Sequence, residues 1–244
     1  MKLTFLGTSD AFGAGGRRQA ALFVETRAGG LLLDCAPTTN TALAALGIAR
    51  DAIDAIALSH FHADHFAGVP SLVLACVWED RRRRPLLVAG PPGEEQRVLD
   101  AAAAIGHPLR DRPLPFALRF QEVGAGAASE VGPARIALFA TRHDPESCPH
   151  GMAVEADGRR LVYSGDTGWF DELPDRARGA DLFVCECNFY EYELPTHLSY
   201  RVLHDRRRAF AGGRMLLTHL GSEMADRRGA LEIETADDGM AVEV

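Results

Sequence analysis

No stretch of this 244-residue chain approaches the roughly 18 consecutive apolar residues of a membrane-spanning helix. The N-terminus enters a strand-like pattern at once, with no basic segment and apolar run ahead of it, so a secretory signal is not expected. Cysteine is scarce. Five residues, an odd number, argue against a disulfide framework and for reduced thiols in a cytoplasm. Basic charge is also in deficit: 26 Lys and Arg stand against 34 Asp and Glu, a formal net charge of −8. Such a chain is a poor match for long nucleic acid, which is gripped through many phosphates. A small phosphorylated substrate is not excluded, because bound metals can meet its charge locally. There is no low-complexity tail. What is abundant is apolar: hydrophobic residues make up 47% of the chain, enough to bury a core.

The most informative segment is His60-Phe61-His62-Ala63-Asp64-His65. It follows a strand-like run, Ile53 to Leu58, and leads into an apolar, helix-like stretch from Phe66 to Trp78. Imidazole and carboxylate together suit borderline divalent metals such as zinc. In His-x-His both side chains can point the same way from an extended strand end. Three more candidates each end an apolar run that reads as a strand. They are His143 in Ala140-Thr141-Arg142-His143-Asp144, Asp166 in Tyr163-Ser164-Gly165-Asp166-Thr167, and His219 in Leu216-Leu217-Thr218-His219-Leu220. Surface histidines can cluster by chance, but these downstream partners make a metal site the stronger reading. Neither half of the chain could form that site alone, so residues 1–244 are read as one domain.

This constellation resembles the metallo-β-lactamase superfamily, whose pattern is HxHxDH followed by a distant His, a distant Asp and a last His. Met1 to Thr8 (MKLTFLGT) resembles the opening strand and turn of its ribonuclease Z-like branch, and Leu31 to Cys35 (LLLDC) the third strand. Val88 to Pro92 (VAGPP), Ser164 to Thr167 (SGDT), Thr196 to Ser199 (THLS) and Asp238 to Val244 (DGMAVEV) follow in that branch's order. The resemblance implies an α+β fold, a four-layer αββα sandwich. It implies one metal held by His60, His62 and His143, a second held by Asp64, His65 and His219, and Asp166 bridging both. A carboxylate can offer one oxygen to each of two neighbouring cations, which supports the bridge independently. The cofactors expected are two divalent metal ions, zinc first, with manganese or iron as alternatives. Such a pair lowers the pKa of a shared water from about 15.7 to about 7, and Asp64 is placed to orient the resulting hydroxide. That chemistry is hydrolysis, but it does not choose between carbonyl carbon and phosphorus.

His197 tips the choice. In the ribonuclease Z-like branch, a His in a His-x-Ser/Thr context before a helix enters the site and assists phosphodiester cleavage. Thr196-His197-Leu198-Ser199 resembles that context, with Ser199 available to cap the following helix. An imidazolium there would stabilise a pentacoordinate phosphorane and protonate the leaving alkoxide. The competing reading is a helix-start His satisfied by a backbone carbonyl. Bacterial members of the branch usually insert a long tRNA-gripping arm between the third His and the bridging Asp. Here the interval from His143 to Asp166 is consumed by a hairpin, and no Gly-rich, basic arm appears elsewhere. The armless relatives include phosphodiesterases acting on small cyclic phosphates.

The leading expectation is therefore a cytoplasmic, metal-dependent phosphodiesterase for a small substrate, with Asp64 and His197 as catalytic residues. The alternatives are a carbonyl hydrolase (lactonase or thioesterase), which would not need His197, and a tRNA 3′-processing endoribonuclease. Diiron redox members usually place Glu where this chain has His62. Neither a membrane nor a long nucleic acid is an expected partner, and a homodimer is the default assembly.

Along the chain, Lys2–Leu6, Ala20–Thr26, Leu31–Asp34 and Leu86–Ala89 read as strands of a first half, with helices at Thr38–Leu46 and Gly93–Ile105. Phe116–Val123, Ala134–Ala140, Met152–Ala156, Arg160–Tyr163, Asp181–Cys185 and Met215–Leu217 read as strands of a second, with a helix at Leu198–Ala211. Ala156-Asp157-Gly158 is a hairpin signal, and Gly124–Gly132 reads as a flexible loop at the junction. Arg81–Arg84 and Arg206–Arg208 read as solvated basic runs, and Cys185-x-Cys187 as a buried strand end. His107 and His204 read as surface groups and His150 as a turn residue. Asp10 and Phe12, beside Gly13–Gly16, read as a mobile rim of the pocket.

Overall fold

Strand residues alternate between two buried faces, and that alternation builds the layers. The computed structural model describes residues 1–210 and 213–244. The first sheet takes β1 (Lys2–Gly7), β2 (Ala21–Thr26), β3 (Gly29–Leu33), β4 (Ile53–Ala57), β5 (Leu86–Gly90) and β6 (Leu118–Glu122). The second takes β7 (Ala128–Val131), β8 (Ala134–Ala140), β9 (His150–Ala156), β10 (Arg159–Tyr163), β11 (Leu182–Glu186) and β12 (Arg214–Thr218). A last strand, β13 (Ala241–Glu243), returns to the first sheet and pairs antiparallel with β1. Each half opens with antiparallel neighbours, β1 to β3 and β7 to β10. Each closes with parallel ones, β3 to β6 and β10 to β12. Parallel neighbours need crossovers, and helices supply them.

Leu3, Phe5, Val24, Leu31 and Leu33 of the first sheet meet Ile136, Leu138, Val154, Leu161 and Val184 of the second in a central core. The residues between them in sequence face outward. Leu32, Ile56 and Val88 pack beneath α1 (Thr39–Leu46), α3 (Val69–Trp78) and α4 (Glu94–Ala104); a short α2 (Ala63–Phe66) precedes α3. Val162, Phe183 and Leu217 pack beneath α5 (Leu173–Ala177), α6 (Tyr200–Arg206) and α7 (Ser222–Arg227). Helix, sheet, sheet, helix is the αββα sandwich expected. Burial on both faces explains the unbroken apolar run of the inner parallel strands. Among the described residues no helix is long and apolar enough to cross a membrane, and all five cysteines are free.

Most element bounds shift by one to three residues from the sequence reading. The strand expected at Phe116–Val123 belongs to the first half and not the second, because β6 pairs in parallel with β5. Four further differences are larger. Phe66–Trp78 is not one helix: α2 ends at Phe66, and α3 begins after Gly68. A Cβ on Gly68 would stand 2.0 Å from the Ala36 carbonyl oxygen, so only glycine permits this close passage. The Gly124–Gly132 segment is not simply a loop, because it contains β7 paired to β8. The helix expected over Leu198–Ala211 begins at Tyr200 and tightens into a 3₁₀ turn at Arg207–Ala209; Ala211 lies outside the described residues. The Arg81–Arg84 run is only partly solvated. Arg82 is buried and donates to the carbonyls of Ile53, Arg84 and Pro85, tying that loop to the start of β4.

Candidate metal centre

All the candidate ligands lie just beyond the C-terminal ends of strands, on one rim of the sandwich. β4 runs into His60 and His62, and α2 carries Asp64 and His65. β8 delivers His143, β10 delivers Asp166, and β12 delivers His219. Loops beyond the carboxyl ends of parallel strands are where α/β sheets place their ligands. Asp34 and His219 hold left-handed backbone conformations, φ 59° and 54°. Such strain persists only where the surroundings impose it, and it gathers at functional sites.

The candidate ligands fall into two groups of side chains, and His219 also joins Glu186 and His197 in a third. His60, His62, His143 and Asp166 each bring one potential ligand atom within 4.8 Å of the others, and so do Asp64, His65, Asp166 and His219. Asp166 belongs to both. Its Oδ2 is 3.8 Å from the Nε2 atoms of His60 and His143 and 3.4 Å from that of His219, while Oδ1 is 3.3 Å from His65 Nε2. In the first group His62 Nδ1 faces His143 Nε2 at 2.9 Å.

The residues fit a cation in each group. The buried His60 Nε2, His65 Nε2 and Asp166 Oδ1 have no hydrogen-bond partner. Buried polar atoms are nearly always paired, so these three call for an electrophile between them. The opposite ring nitrogens are held in place. His65 Nδ1 donates to Asp34 at 2.7 Å, His143 Nδ1 to the Thr196 carbonyl at 2.8 Å, and His62 Nε2 to Asp144 at 3.2 Å. His60 Nδ1 lies 2.9 Å from Ser59 Oγ, and His219 Nδ1 lies 3.4 Å from the Asn188 amide. Partners that accept from the ring, as those of His65, His143 and His62 do, fix it and leave the other nitrogen for a metal. Sequence reasoning missed Asp34, Asp144 and Asn188. The available signal was a lone acid closing the apolar run of β3, and an acid directly after His143.

The electrostatics favour added positive charge. Burial, followed by repulsion from His65, holds His60 well below the usual imidazole range, and burial lowers His143 as well. Burial also opposes charge on His65, but Asp166, Asp64 and Asp34 outweigh it and raise that ring well above its ordinary value. His219 rises too, against burial, because of Asp166 and Asp64. Despite burial, the neighbouring histidines hold Asp64 and Asp166 well below the carboxylate range. Without cations, the carboxylates favour protons on His65 and His219. Divalent ions compete with those protons. Affinity for zinc should therefore rise with pH across the neutral range, with protons released on binding. Competition against a chromogenic chelator at several pH values checks this; a pH-independent affinity would contradict it.

His197 enters the rim and does not cap onto a carbonyl. Its ring centroid is 4.8 Å from that of His143 and 5.6 Å from that of His219, on which it stacks with 8° between planes. Nδ1 donates to Glu186 Oε1 at 2.8 Å. Ser199 caps α6 by accepting from the Val202 N–H. Glu186 is fully buried and also accepts from the backbone N–H groups of Thr167, Leu198 and Asn188. Burial disfavours charge on His197, but Glu186 prevails and holds its pKa up to about 9. Glu186, too, escaped sequence reasoning; its signal is an acid ending an otherwise apolar strand. Beside His197 lies a cavity of about 380 Å³ whose walls include Arg142, Trp169 and Arg206. The Arg206 guanidinium sits 4.9 Å over the Trp169 ring. Neither arginine has a carboxylate partner among the described residues.

The remaining candidates resolve simply. His150 opens β9 and pairs with the Cys148 carbonyl, and His204 lies 3.3 Å from Glu232. His107 is exposed. Burial raises the Cys185 and Cys187 thiols, and no cysteine joins a ligand group among the described residues. Asp10 is not a mobile rim. It is buried and braces the loop through the Phe12 and Ala14 N–H groups, leaving Phe12 exposed.

Comparison with known proteins places this geometry in a family. The family model described as anti-Pycsar protein Apyc1 matches residues 1–236. Ribonuclease Z of Mycobacterium bovis is 30% identical over 194 residues, covering 75% of this chain and 69% of that protein. Ribonuclease Z of Myxococcus xanthus is 27% identical over an alignment of 303 positions that takes in 100% of this chain and 98% of the relative. In fold, the chain is similar to the metallo-β-lactamase fold protein YhfI of Bacillus subtilis, with a TM-score of 0.79, 21% identity and 99% of both chains covered. The chain belongs to the Apyc1 anti-Pycsar protein family, within the ribonuclease Z-like branch of the metallo-β-lactamase superfamily.

Proposed function

We propose that residues 1–244 form one hydrolase domain that holds two divalent metal ions and cleaves a small phosphodiester, cyclic phosphodiesters included. The observation that carries this reading is His197, held charged by buried Glu186 at the edge of the two ligand groups. Bound cations, zinc first among them, would supply an acidified water and Lewis acidity toward phosphoryl oxygen. The chain's own residues do the rest. Asp64, with Oδ2 3.3 Å from both His65 Nε2 and His219 Nε2, is placed to accept a hydrogen bond from the attacking water and orient it. Glu186 holds the His197 Nδ1–H, which leaves the Nε2 proton for the departing alkoxide. The same imidazolium meets an anionic substrate with positive charge. Arg142 and Arg206 add two more guanidinium groups on that side, in a chain whose net charge is −8. A neutral lactone or thioester would gain little from this concentration of cations.

Size argues for a small substrate. Between His143 and Asp166 the chain makes only a 3₁₀ turn at Pro145–Ser147 and the β9–β10 hairpin. The Myxococcus ribonuclease Z therefore carries stretches with no counterpart here, since the shared alignment is longer than this chain. Cleavage of tRNA 3′ ends is the second reading, favoured by the ribonuclease Z relatives themselves.

The test is turnover by zinc-loaded protein of bis-p-nitrophenyl phosphate, a 2′,3′-cyclic nucleotide, a homoserine lactone and a 3′-extended tRNA. Both small diesters should be hydrolysed, with the lactone and the tRNA spared. Lactone turnover without diester turnover would overturn the proposal. Cleavage of tRNA alone would move it to the second reading.

A further inference from the structure

We infer that a single buried carboxylate, Asp34, fixes one candidate ligand in each metal group, His65 directly and His60 through Ser59, and that Tyr163 is a positioning residue for both. This deepens the metal reading above and rests on it.

The hydrogen-bond inventory leaves little freedom. Asp34 follows directly on β3 and is fully buried. Its Oδ1 accepts the Ser59 N–H at 2.7 Å. Its Oδ2 accepts from Ser59 Oγ at 2.8 Å, from Tyr163 Oη at 2.9 Å and from His65 Nδ1 at 2.7 Å. A carboxylate has no proton to give, so each of these partners must donate. The Ser59 hydroxyl has one proton and directs it to Asp34. Toward His60 Nδ1, 2.9 Å away, the same oxygen can only accept. His60 therefore carries its proton on Nδ1 and presents the lone pair of Nε2. For His65, Asp34 fixes Nδ1 as a donor without an intermediary.

The two Nε2 atoms aimed in this way are, among the described residues, the imidazole nitrogens left buried without a partner. They belong to different ligand groups, His60 to the one with His62 and His143, His65 to the one with Asp64 and His219. One carboxylate thus serves both positions, directly for one and through a hydroxyl relay for the other.

Tyr163 closes the arrangement from the opposite sheet. It ends β10, is 1% exposed, and its ring packs in the core between the sheets. The same turn continues through Ser164 and Gly165 to Asp166. The hydroxyl therefore ties the segment bearing the shared carboxylate to the anchor of His60 and His65. A buried tyrosine hydroxyl needs some partner, so mere satisfaction of the phenol is the competing explanation. The two explanations differ in which metal site responds.

The test is zinc titration of metal-stripped protein by calorimetry and chelator competition, comparing wild type with Ser59→Ala and Tyr163→Phe. His62→Ala and His219→Ala serve to assign the first and second group. Wild type should take up two cations. Ser59→Ala should weaken the His60 group by about 10- to 100-fold and spare the His65 group, the usual scale for losing an outer hydrogen bond. Tyr163→Phe, which keeps the ring, should weaken both groups. Equal weakening of both groups by Ser59→Ala, or no weakening of either, would overturn the relay. A Tyr163→Phe protein with a lowered Tm and unchanged affinities would make the phenol purely structural. Failure of wild type to bind two cations would instead sink the metal reading, and the relay with it.

Discussion

Replacing Asp166 with Ala should reduce turnover of every substrate to background and leave the chain unable to retain two cations. Asp166 is the one side chain shared by both ligand groups, and it is 3% exposed. Its two oxygens face different histidines, Oδ1 toward His65 and Oδ2 toward His60, His143 and His219. Alanine removes a candidate ligand from each group and also one of the buried carboxylates that favour positive charge in the site. No neighbouring group can substitute for it: Asp64 faces the second group only, and Asp144 lies on the outer side of His62. Measured metal content should fall along with activity, while circular dichroism shows the sandwich intact. Retention of two cations together with wild-type turnover would remove Asp166 from the centre.

Replacing His197 with Ala should lower turnover of a 2′,3′-cyclic nucleotide by roughly 10²-fold or more, the usual scale for a positioned acid. Hydrolysis of bis-p-nitrophenyl phosphate should fall much less, because its leaving group departs without a proton. Metal content should not change. A uniform loss on both diesters would mean that His197 shapes the site and does not donate a proton. The pH profile separates these roles further. A group whose pKa is raised stays protonated to higher pH, so the acid is present until pH passes about 9 and is lost above it. Glu186→Gln removes the charge responsible. The alkaline fall in kcat should then move down toward the ordinary histidine value of 6.5.

The sequence exposed those parts of the centre that are local. His60, His62, Asp64 and His65 fall together because one strand end and one short helix carry them all. His143, Asp166 and His219 each end an apolar run, and apolar runs are the clearest signal of strands. His197 was legible through its Ser-capped helix start. Asp34 and Glu186 were not, because each acts across the fold as a lone acid without a spacing pattern. Asp34 reaches Tyr163 only when the two sheets stack, and Glu186 reaches His197 only when the chain after β11 folds back. The break at Gly68 was hidden because apolar residues continue through it. What stops the helix there is the close passage of the Ala36 backbone, a tertiary fact. Likewise β7 becomes a strand by pairing with β8, although its own residues read as a loop.

The most direct test of the metal-dependent chemistry is stepwise addition of zinc to stripped protein while cyclic-nucleotide hydrolysis is followed in the same sample. Activity should be absent at the start and should reach its plateau as the second equivalent binds. Full hydrolysis before any zinc is added, or zinc binding that leaves hydrolysis unchanged, would contradict it.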